Sequence, residues 1–356
     1  MIDSLGPAEA PVSEHPDEYD QTTESNHEDY AGSIFHASSP DFVAFSMVNP
    51  AFEGYPFTAL GFNYNSMIVI ITDLDGTLLG ADYSWRTALP AIAELKRLAM
   101  PLVLCTSKTR AEVELICSEL NHHDPFIVEN GGALYVPEGY FPWDFNTPVH
   151  RAGYGVIEFG TPYLELVRSL QRAAQESNCR VRGFYQMSAE EISRCCGLPL
   201  KTARLAKQRE YDEPFRILQG DPQELMAAIA REKKRCVRGG NFYHILSSND
   251  KAHCVNLLIH YYRTAYEHVI TVGLGNGLND VNFLKLVDLP LVLESPDSGR
   301  IMSEIPRARL CRGGGPEAWN KAVLQIVASH SKLERPGAAT PSASGADFIS
   351  DSLQNE

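Results

Sequence analysis

Residues 1–66 contain no lysine and no arginine. That absence excludes an arginine-rich mitochondrial leader. The lack of a basic start followed by an apolar stretch likewise excludes the pattern of a secretory signal. No run of roughly 18 apolar residues occurs anywhere, so a membrane-spanning helix is not expected. The eight cysteines form no CxxC unit and no regular framework; Cys195 and Cys196 are adjacent and the others scattered. That spacing argues against structural zinc and against a disulfide-stapled fold, and it predicts reduced thiols in a cytoplasmic protein. No internal repeat is visible.

What is present is unevenly spread. The net charge is -14, and residues 1–66 carry eleven acidic groups with nothing to balance them. The other 290 residues hold 34 acidic against 31 basic side chains, so the folded part is close to neutral and nothing in it marks a nucleic-acid partner. Rich in Pro, Ser, Asp, Glu and Asn, residues 1–66 are predicted to be a disordered acidic tail, with the scattered aromatics of 42–62 as the part able to dock. Residues 332–356 read as a second disordered tail. The length between the tails, with 44% apolar residues overall, suffices for two domains with a sizeable core.

Order is expected to begin at Met67-Ile-Val-Ile-Ile-Thr-Asp73, a continuous β-branched run suited to a strand buried on both faces of a parallel sheet. A helix with Leu89, Ile92, Leu95 and Leu98 on one stripe is predicted over 87–99, with Thr87 as its N-cap. A strand at 102–105 follows, then a helix opened by the capping box Thr109-Arg-Ala-Glu112, then a strand at 126–128. Alternation of this kind means an α/β fold with right-handed crossovers. The rhythm changes over 147–240, where helices near 162–177, 189–196 and 222–233 stand among strand-like pieces. The parallel pattern is expected to resume with Phe242-Tyr-His-Ile-Leu246, a helix over 251–266 and a strand at 268–272. The predicted organisation is therefore a Rossmann-like parallel sheet core, 67–146 and 241–331, interrupted by an inserted α/β cap domain at 147–240.

Four segments carry chemistry, and each follows a strand or opens a helix at a sheet edge, where open α/β sheets bind ligands. Asp73-Leu-Asp75-Gly-Thr77 ends the first strand. A turn permitted by Gly76 would bring both carboxylates to one site, with Asp73 as nucleophile toward phosphorus and Asp75 as acid and base. Thr106-Ser107-Lys108-Thr109 offers hydroxyls, a cation and the free N–H groups of a helix start, an anion site, although capping alone would explain its Ser and Thr. Asp250-Lys251 places a cation in a first turn, against the helix dipole; a bound phosphoryl group would relieve it, and a solvated side chain is the ordinary alternative. Gly273-Leu-Gly-Asn276-Gly-Leu-Asn-Asp280 reads as a loop for Mg²⁺, which prefers hard oxygens; a plain strand–helix turn is its alternative. Asp73, the Asp75 carbonyl and one oxygen of this loop would suffice as ligands. A calcium EF-hand is excluded because its further ligands and closing Glu are absent.

Taken together, in this order and spacing, the segments resemble the four motifs of the haloacid dehalogenase superfamily, over residues 67–285. Glu129-Asn130-Gly-Gly-Ala133 and the insertion after it resemble the subgroup with a large α/β cap. A narrower resemblance, over roughly 67–327, is to the mannosyl-3-phosphoglycerate phosphatases. It rests on Thr106–Glu112, Ile127–Ala133, Gly183-Phe, Arg209-Glu-Tyr-Asp-Glu-Pro-Phe215 and Gly239-Gly-Asn-Phe-Tyr-His244. The resemblance implies hydrolysis of mannosyl-3-phosphoglycerate to mannosylglycerate through an aspartyl-phosphate on Asp73. It also implies Asp75 as acid and base, Thr106 and Lys251 on the phosphoryl oxygens, and Mg²⁺ held by Asp73, Asp75, Asn276 and Asp280. Ser107, Lys108, Asn130 and Arg209 are the implied substrate contacts. Arg209 would clamp the glycerate carboxylate, with an ion pair inside the cap to Glu210, Asp212 or Glu213 as its alternative. The implied partner is a small sugar phosphate, with no nucleic acid and no membrane. One position departs from the family: Asn276 stands where an aspartate is usual and brings no charge to the metal. Phosphatases for glucosyl-3-phosphoglycerate or sucrose phosphate, and a sugar-phosphate binder impaired through Asn276, are the competing readings.

Overall fold

In the computed structural model the described residues are 66–143, 149–239 and 242–333. The two expected tails fall outside these ranges, except for Ser66 and for the C-terminal helix, which continues to Leu333.

A sheet of nine strands forms the core. In chain order its first parallel strands are β1 (Met67–Thr72), β2 (Leu102–Cys105) and β3 (Phe126–Val128); β4 (Ala133–Pro137), β5 (Val149–Arg151) and β6 (Tyr154–Glu158) continue it antiparallel. β1 lies near the middle because every one of its residues is apolar or a strand former, so both faces can be covered. Ile68 and Ile70 point into one apolar layer and Val69 and Ile71 into the other. The first layer holds α1 (Leu89–Arg97) and α2 (Arg110–Leu120). The capping box is present: Thr109 accepts from the Glu112 N–H while Glu112 accepts from the Thr109 N–H. Thr87 does not cap α1; it lies in a short 3-10 turn over Arg86–Ala88, and Pro90 takes the helix start.

The inserted unit contains α3 (Tyr163–Glu176), β7 (Arg180–Gly183), α4 (Ala189–Cys196), α5 (Leu200–Ala206), β8 (Glu213–Gln219), α6 (Pro222–Arg231), β9 (Arg235–Gly239) and β10 (Phe242–Leu246). Its four strands form a separate antiparallel sheet, β7-β8-β10-β9. Alternation sorts that sheet's side chains. Phe215 and Ile245 pack beneath α3 and α6, while Phe242 turns the other way to join Phe184, Ile192 and Leu198.

Two expectations are corrected here. Phe242–Leu246 does not resume the parallel core; it pairs antiparallel with β8 and β9. A short apolar run reports that a strand is buried, not which sheet buries it. The insertion also starts later than residue 147, because β5 and β6 hydrogen-bond into the core sheet, joined by Ala152 and Gly153 at φ 49° and 84°. Positive φ at both loop residues is the geometry of a two-residue hairpin.

Past the insertion the parallel pattern returns with α7 (Lys251–Ala265), β11 (Val269–Gly275), α8 (Val281–Leu284), β12 (Leu289–Leu293), α9 (Ser298–Glu304), β13 (Arg309–Cys311) and α10 (Gly315–Leu333). The sheet order is β13-β12-β11-β1-β2-β3-β4-β6-β5. α10 joins the first layer through Trp319 and Val323, and α7, α8 and α9 build the second. The C-terminal ends of β11, β1 and β2 are thus adjacent, and the loops that leave them meet. All eight cysteines are free, and no helix among the described residues is long and apolar enough to cross a membrane.

Candidate active site

Asp73 leaves β1 with its N–H bonded to the Leu274 carbonyl of β11, so sheet pairing fixes its backbone. Its carboxylate is buried; Lys251 Nζ lies 2.6 Å from Oδ1, and the Thr77 hydroxyl donates to Oδ2 at 3.3 Å. The same Nζ is 2.7 Å from Asp280 Oδ1. One ammonium therefore serves two buried carboxylates. Burial first, then the neighbouring Asp280, push the Asp73 carboxyl up to about 7, although Lys251 pulls the other way. Burial alone would lower the Lys251 ammonium, but Asp280 and Asp73 outweigh it and hold it above its ordinary value. A first-turn lysine opposes its helix dipole; here two carboxylates supply the relief expected from a bound anion.

The turn after Asp73 brings Asp75 to the same cleft, with Gly76 at φ 73°. A side chain at Gly76 would collide with the Asn276 amide, so glycine is required there twice over. Lys108 Nζ is 2.9 Å from Asp75 Oδ1 and 3.6 Å from Glu112 Oε1. Thr106 is fully buried at the end of β2, where its hydroxyl accepts from the Lys108 N–H at 3.1 Å. Asp73, Asp75, Ser107, Lys108, Asn276 and Arg209 all line one cleft of about 840 Å³ that the core and the inserted unit enclose together.

Several expected site residues stand differently. Asp280 is fully buried with both oxygens engaged: Oδ1 by Lys251, and Oδ2 by the N–H groups of Asn276 and Gly277 at 3.0 and 2.9 Å. It shapes the loop and anchors the lysine, while Asn276, Gly277, Leu278 and Asn279 of the same loop line the cleft. Arg209, expected on a substrate carboxylate, is committed to the protein. Its Nε donates to the Asp212 carbonyl, and its Nη2 to the Ser107 carbonyl at 3.0 Å and the Asp212 carboxylate at 3.1 Å. A guanidinium this buried needs fixed acceptors, and here they tie the insertion to the core. Asn130 donates to Asp212 Oδ2 at 2.7 Å and accepts from Asn279 at 3.2 Å, so it bridges insertion and loop.

Sequence reasoning assigned no role to Glu129 or His244 and placed Asp212 only among the alternative ion-pair partners of Arg209, a pair the structure contains at 3.1 Å. Glu129 is fully buried and accepts from the Glu210 and Tyr211 N–H groups. Burial above all, with Asp212 adding to it, pushes its carboxyl up to about 8 against the pull of Arg209. His244 Nδ1 lies 2.9 Å from Asp212 Oδ1. Burial would raise Asp212, but His244 and Arg209 hold it below the usual carboxylate range. Together these groups clasp residues 209–213 against the loop after β3, with Tyr211 filling the space that Gly132 leaves.

Among the described residues no three His, Cys, Asp or Glu side chains converge as a metal cluster. Asp73, Asp75 and Asn276 line the same cleft. Carboxylate, carbonyl and amide oxygens of these residue types are the hard donors that suit a small dication.

Comparison with known proteins agrees with this geometry. The family model for haloacid dehalogenase-like hydrolases matches residues 70–140. A glucosyl-3-phosphoglycerate/mannosyl-3-phosphoglycerate phosphatase of Methanococcoides burtonii is 39% identical over 273 residues, covering 74% of this chain and 99% of that protein. A mannosyl-3-phosphoglycerate phosphatase of Pyrococcus furiosus is 35% identical over 226 residues, 63% of this chain and 90% of that one. Among solved structures, a haloacid dehalogenase subclass IIB sugar phosphatase superposes with a TM-score of 0.51 at 14% identity, covering 74% of this chain and 99% of its own, a likeness of fold.

Proposed function

The chain belongs to the haloacid dehalogenase-like hydrolases, and from that membership we propose that it is a phosphatase acting on mannosyl-3-phosphoglycerate, releasing mannosylglycerate and phosphate. Glucosyl-3-phosphoglycerate is the second substrate to consider, because the Methanococcoides burtonii relative is named for both. The observation that carries the reading is Asp73 at the end of β1, 2.6 Å from Lys251, opening into a cleft closed by the inserted unit. Phosphate release from the mannosyl and glucosyl compounds, set against sucrose phosphate, tests it. Faster turnover of sucrose phosphate would overturn the substrate assignment and leave the phosphatase standing.

In this reading Asp73 attacks phosphorus, the leaving alkoxide takes a proton from Asp75, and an aspartyl-phosphate remains. Asp75 then takes a proton from water as it hydrolyses that intermediate. Thr106 and Lys251 hold the phosphoryl oxygens while charge develops on them. Asp73, the Asp75 carbonyl and the Asn276 amide would hold Mg²⁺, whose charge offsets the repulsion between carboxylate and phosphate. Asp280 acts at one remove, by holding Lys251 and the backbone of the loop. Most of the rate gain in such a transfer comes from positioning and electrostatics.

Two variants probe these roles. Asp75→Asn is expected to lose far more activity on the sugar phosphate than on p-nitrophenyl phosphate, whose leaving group needs no proton. Equal losses on the two would remove the acid role from Asp75. Asn276→Asp puts a charged oxygen beside the Asp75–Gly76 turn, and half-saturating Mg²⁺ is expected to fall about tenfold, the scale of a charged over a neutral contact. Without magnesium the added carboxylate faces Asp73 and Asp280, so the variant is expected to melt below the parent and to gain more on adding the ion. Coincident magnesium titrations, in activity and in melting, would take Asn276 out of the metal shell.

A further inference from the structure

Tyr83 lies beyond the catalytic turn, in a loop closed by the hydrogen bonds Gly80 N–H to Ser84 O and Tyr83 N–H to Gly80 O. Its backbone sits at φ 59°, a left-handed conformation that a bulky residue adopts at a cost and that surrounding contacts must sustain. Two contacts do so. The Tyr83 hydroxyl donates at 2.8 Å to the carbonyl of Cys196, the last residue of α4 in the inserted unit. The face of the ring lies 4.8 Å from Lys108 Nζ. Lys108 is in turn the partner of Asp75 at 2.9 Å, and it is buried among Asp75, Glu112 and that ring. Tyr83 also lines the cleft and packs against the small apolar cluster of the insertion.

Resting on the reading of Asp75 as the acid, we infer that Tyr83 is a positioning residue that makes the placement of Lys108, and through it Asp75, depend on the docking of the inserted unit. The ring is one wall of the pocket that fixes the Lys108 ammonium, and a cation over an aromatic face is held both electrostatically and by excluded water. The hydroxyl anchors that wall to the insertion. With the insertion undocked, the hydroxyl would lose its acceptor and the left-handed loop a contact that sustains it. Lys108 then loses a wall, and Asp75 loses the rigid partner that aims it. Proton delivery is thereby confined to the closed cleft, where water cannot compete for the site.

The experiment uses the full chain with Tyr83→Phe, which keeps the ring and removes the hydroxyl, and Tyr83→Leu, which removes both. Turnover is measured on mannosyl-3-phosphoglycerate, which leaves as an alkoxide, and on p-nitrophenyl phosphate, which leaves unprotonated. For Tyr83→Leu we expect kcat on the sugar phosphate to fall about 100-fold, and on p-nitrophenyl phosphate less than about tenfold, because only the first needs the aimed acid. Tyr83→Phe is expected to lie between parent and Tyr83→Leu, with the same bias toward the alkoxide leaving group. Equal losses on both substrates would mean that Tyr83 serves structure alone, and unchanged rates would mean that it serves nothing here; either result overturns the inference. If Tyr83→Leu fails to fold, Tyr83→Phe decides, since its loss is confined to one hydroxyl. If Asp75→Asn itself shows no leaving-group dependence, the acid assignment fails, and this inference falls with it.

Discussion

Asp73→Asn is expected to abolish phosphate release, to below about a thousandth of the parental rate, and to leave the fold intact. The amide is a poor nucleophile, so no covalent intermediate forms, and the lost barrier reduction is of the size that removing a nucleophile costs elsewhere. The fold survives for a reason visible in the site. Asn has the shape of Asp, the Asp73 N–H stays bonded to the Leu274 carbonyl, and Lys251 keeps Asp280 at 2.7 Å. The Asp73 carboxyl is pushed up to about 7, chiefly by burial. A carboxyl raised in the folded state costs stability once the pH passes its unfolded value, and that cost persists at neutral pH. Removing the charge removes the cost, so without magnesium the variant is expected to melt no lower than the parent. Phosphate release and thermal melting check both halves. Turnover within tenfold of the parent would end the nucleophile assignment, whereas a collapsed melting temperature would show that Asp73 is structural.

Lys251→Met is the second large effect expected, on activity and stability together. The side chain is fully buried, and its ammonium holds Asp73 and Asp280 at 2.6 and 2.7 Å. Methionine fills the space of the stem and leaves the two carboxylates facing each other with no cation between them. Breaking a buried pair by removing one partner costs about 3–5 kcal/mol, because the uncompensated charge stays behind. For a folded body of this size that is a drop in melting temperature on the order of ten degrees. The direction of its pH dependence follows. With the ammonium gone, the Asp73 carboxyl loses the pull that opposes its burial and rises further above its unfolded value, so the deficit is full at neutral pH and shrinks as falling pH protonates it. Activity falls with it, since the phosphoryl oxygens lose their fixed cation. A melt series from neutral to mildly acid pH, with phosphate release at neutral pH, tests the claim. A variant as stable as the parent at neutral pH would show that the two carboxylates do not depend on Lys251.

The chain itself determined the local features. The six β-branched or apolar residues of β1 need cover on both faces, so that run reads as a central parallel strand before any neighbour is known. The capping box at Thr109 and Glu112 reads from spacing alone, because both partners lie within one helical turn. The order of Asp73, Thr106, Lys251 and the glycine-rich loop places each candidate at a strand end or helix start, and sheet edges gather such residues whatever the intervening length.

Tertiary structure alone decided everything that turns on long-range pairing. Phe242–Leu246 reads equally well as a strand of either sheet, because apolar alternation fixes which face is buried and not which strands are neighbours. Arg209 reads equally as a clamp for substrate or as an ion pair inside the cap, and its bond to Ser107, more than a hundred positions earlier, is legible in neither reading. Asp280 reads as a metal ligand until Lys251 and two loop N–H groups are seen to occupy its oxygens. Lys251 and Asp73 are separated by 178 positions, and only the closing of the sheet puts them 2.6 Å apart. Residue types and local spacing thus set what each group can do chemically. A polar side chain's role is then settled by which of its donors and acceptors the fold has already used, since a buried group must satisfy them within the protein before any remain for a ligand.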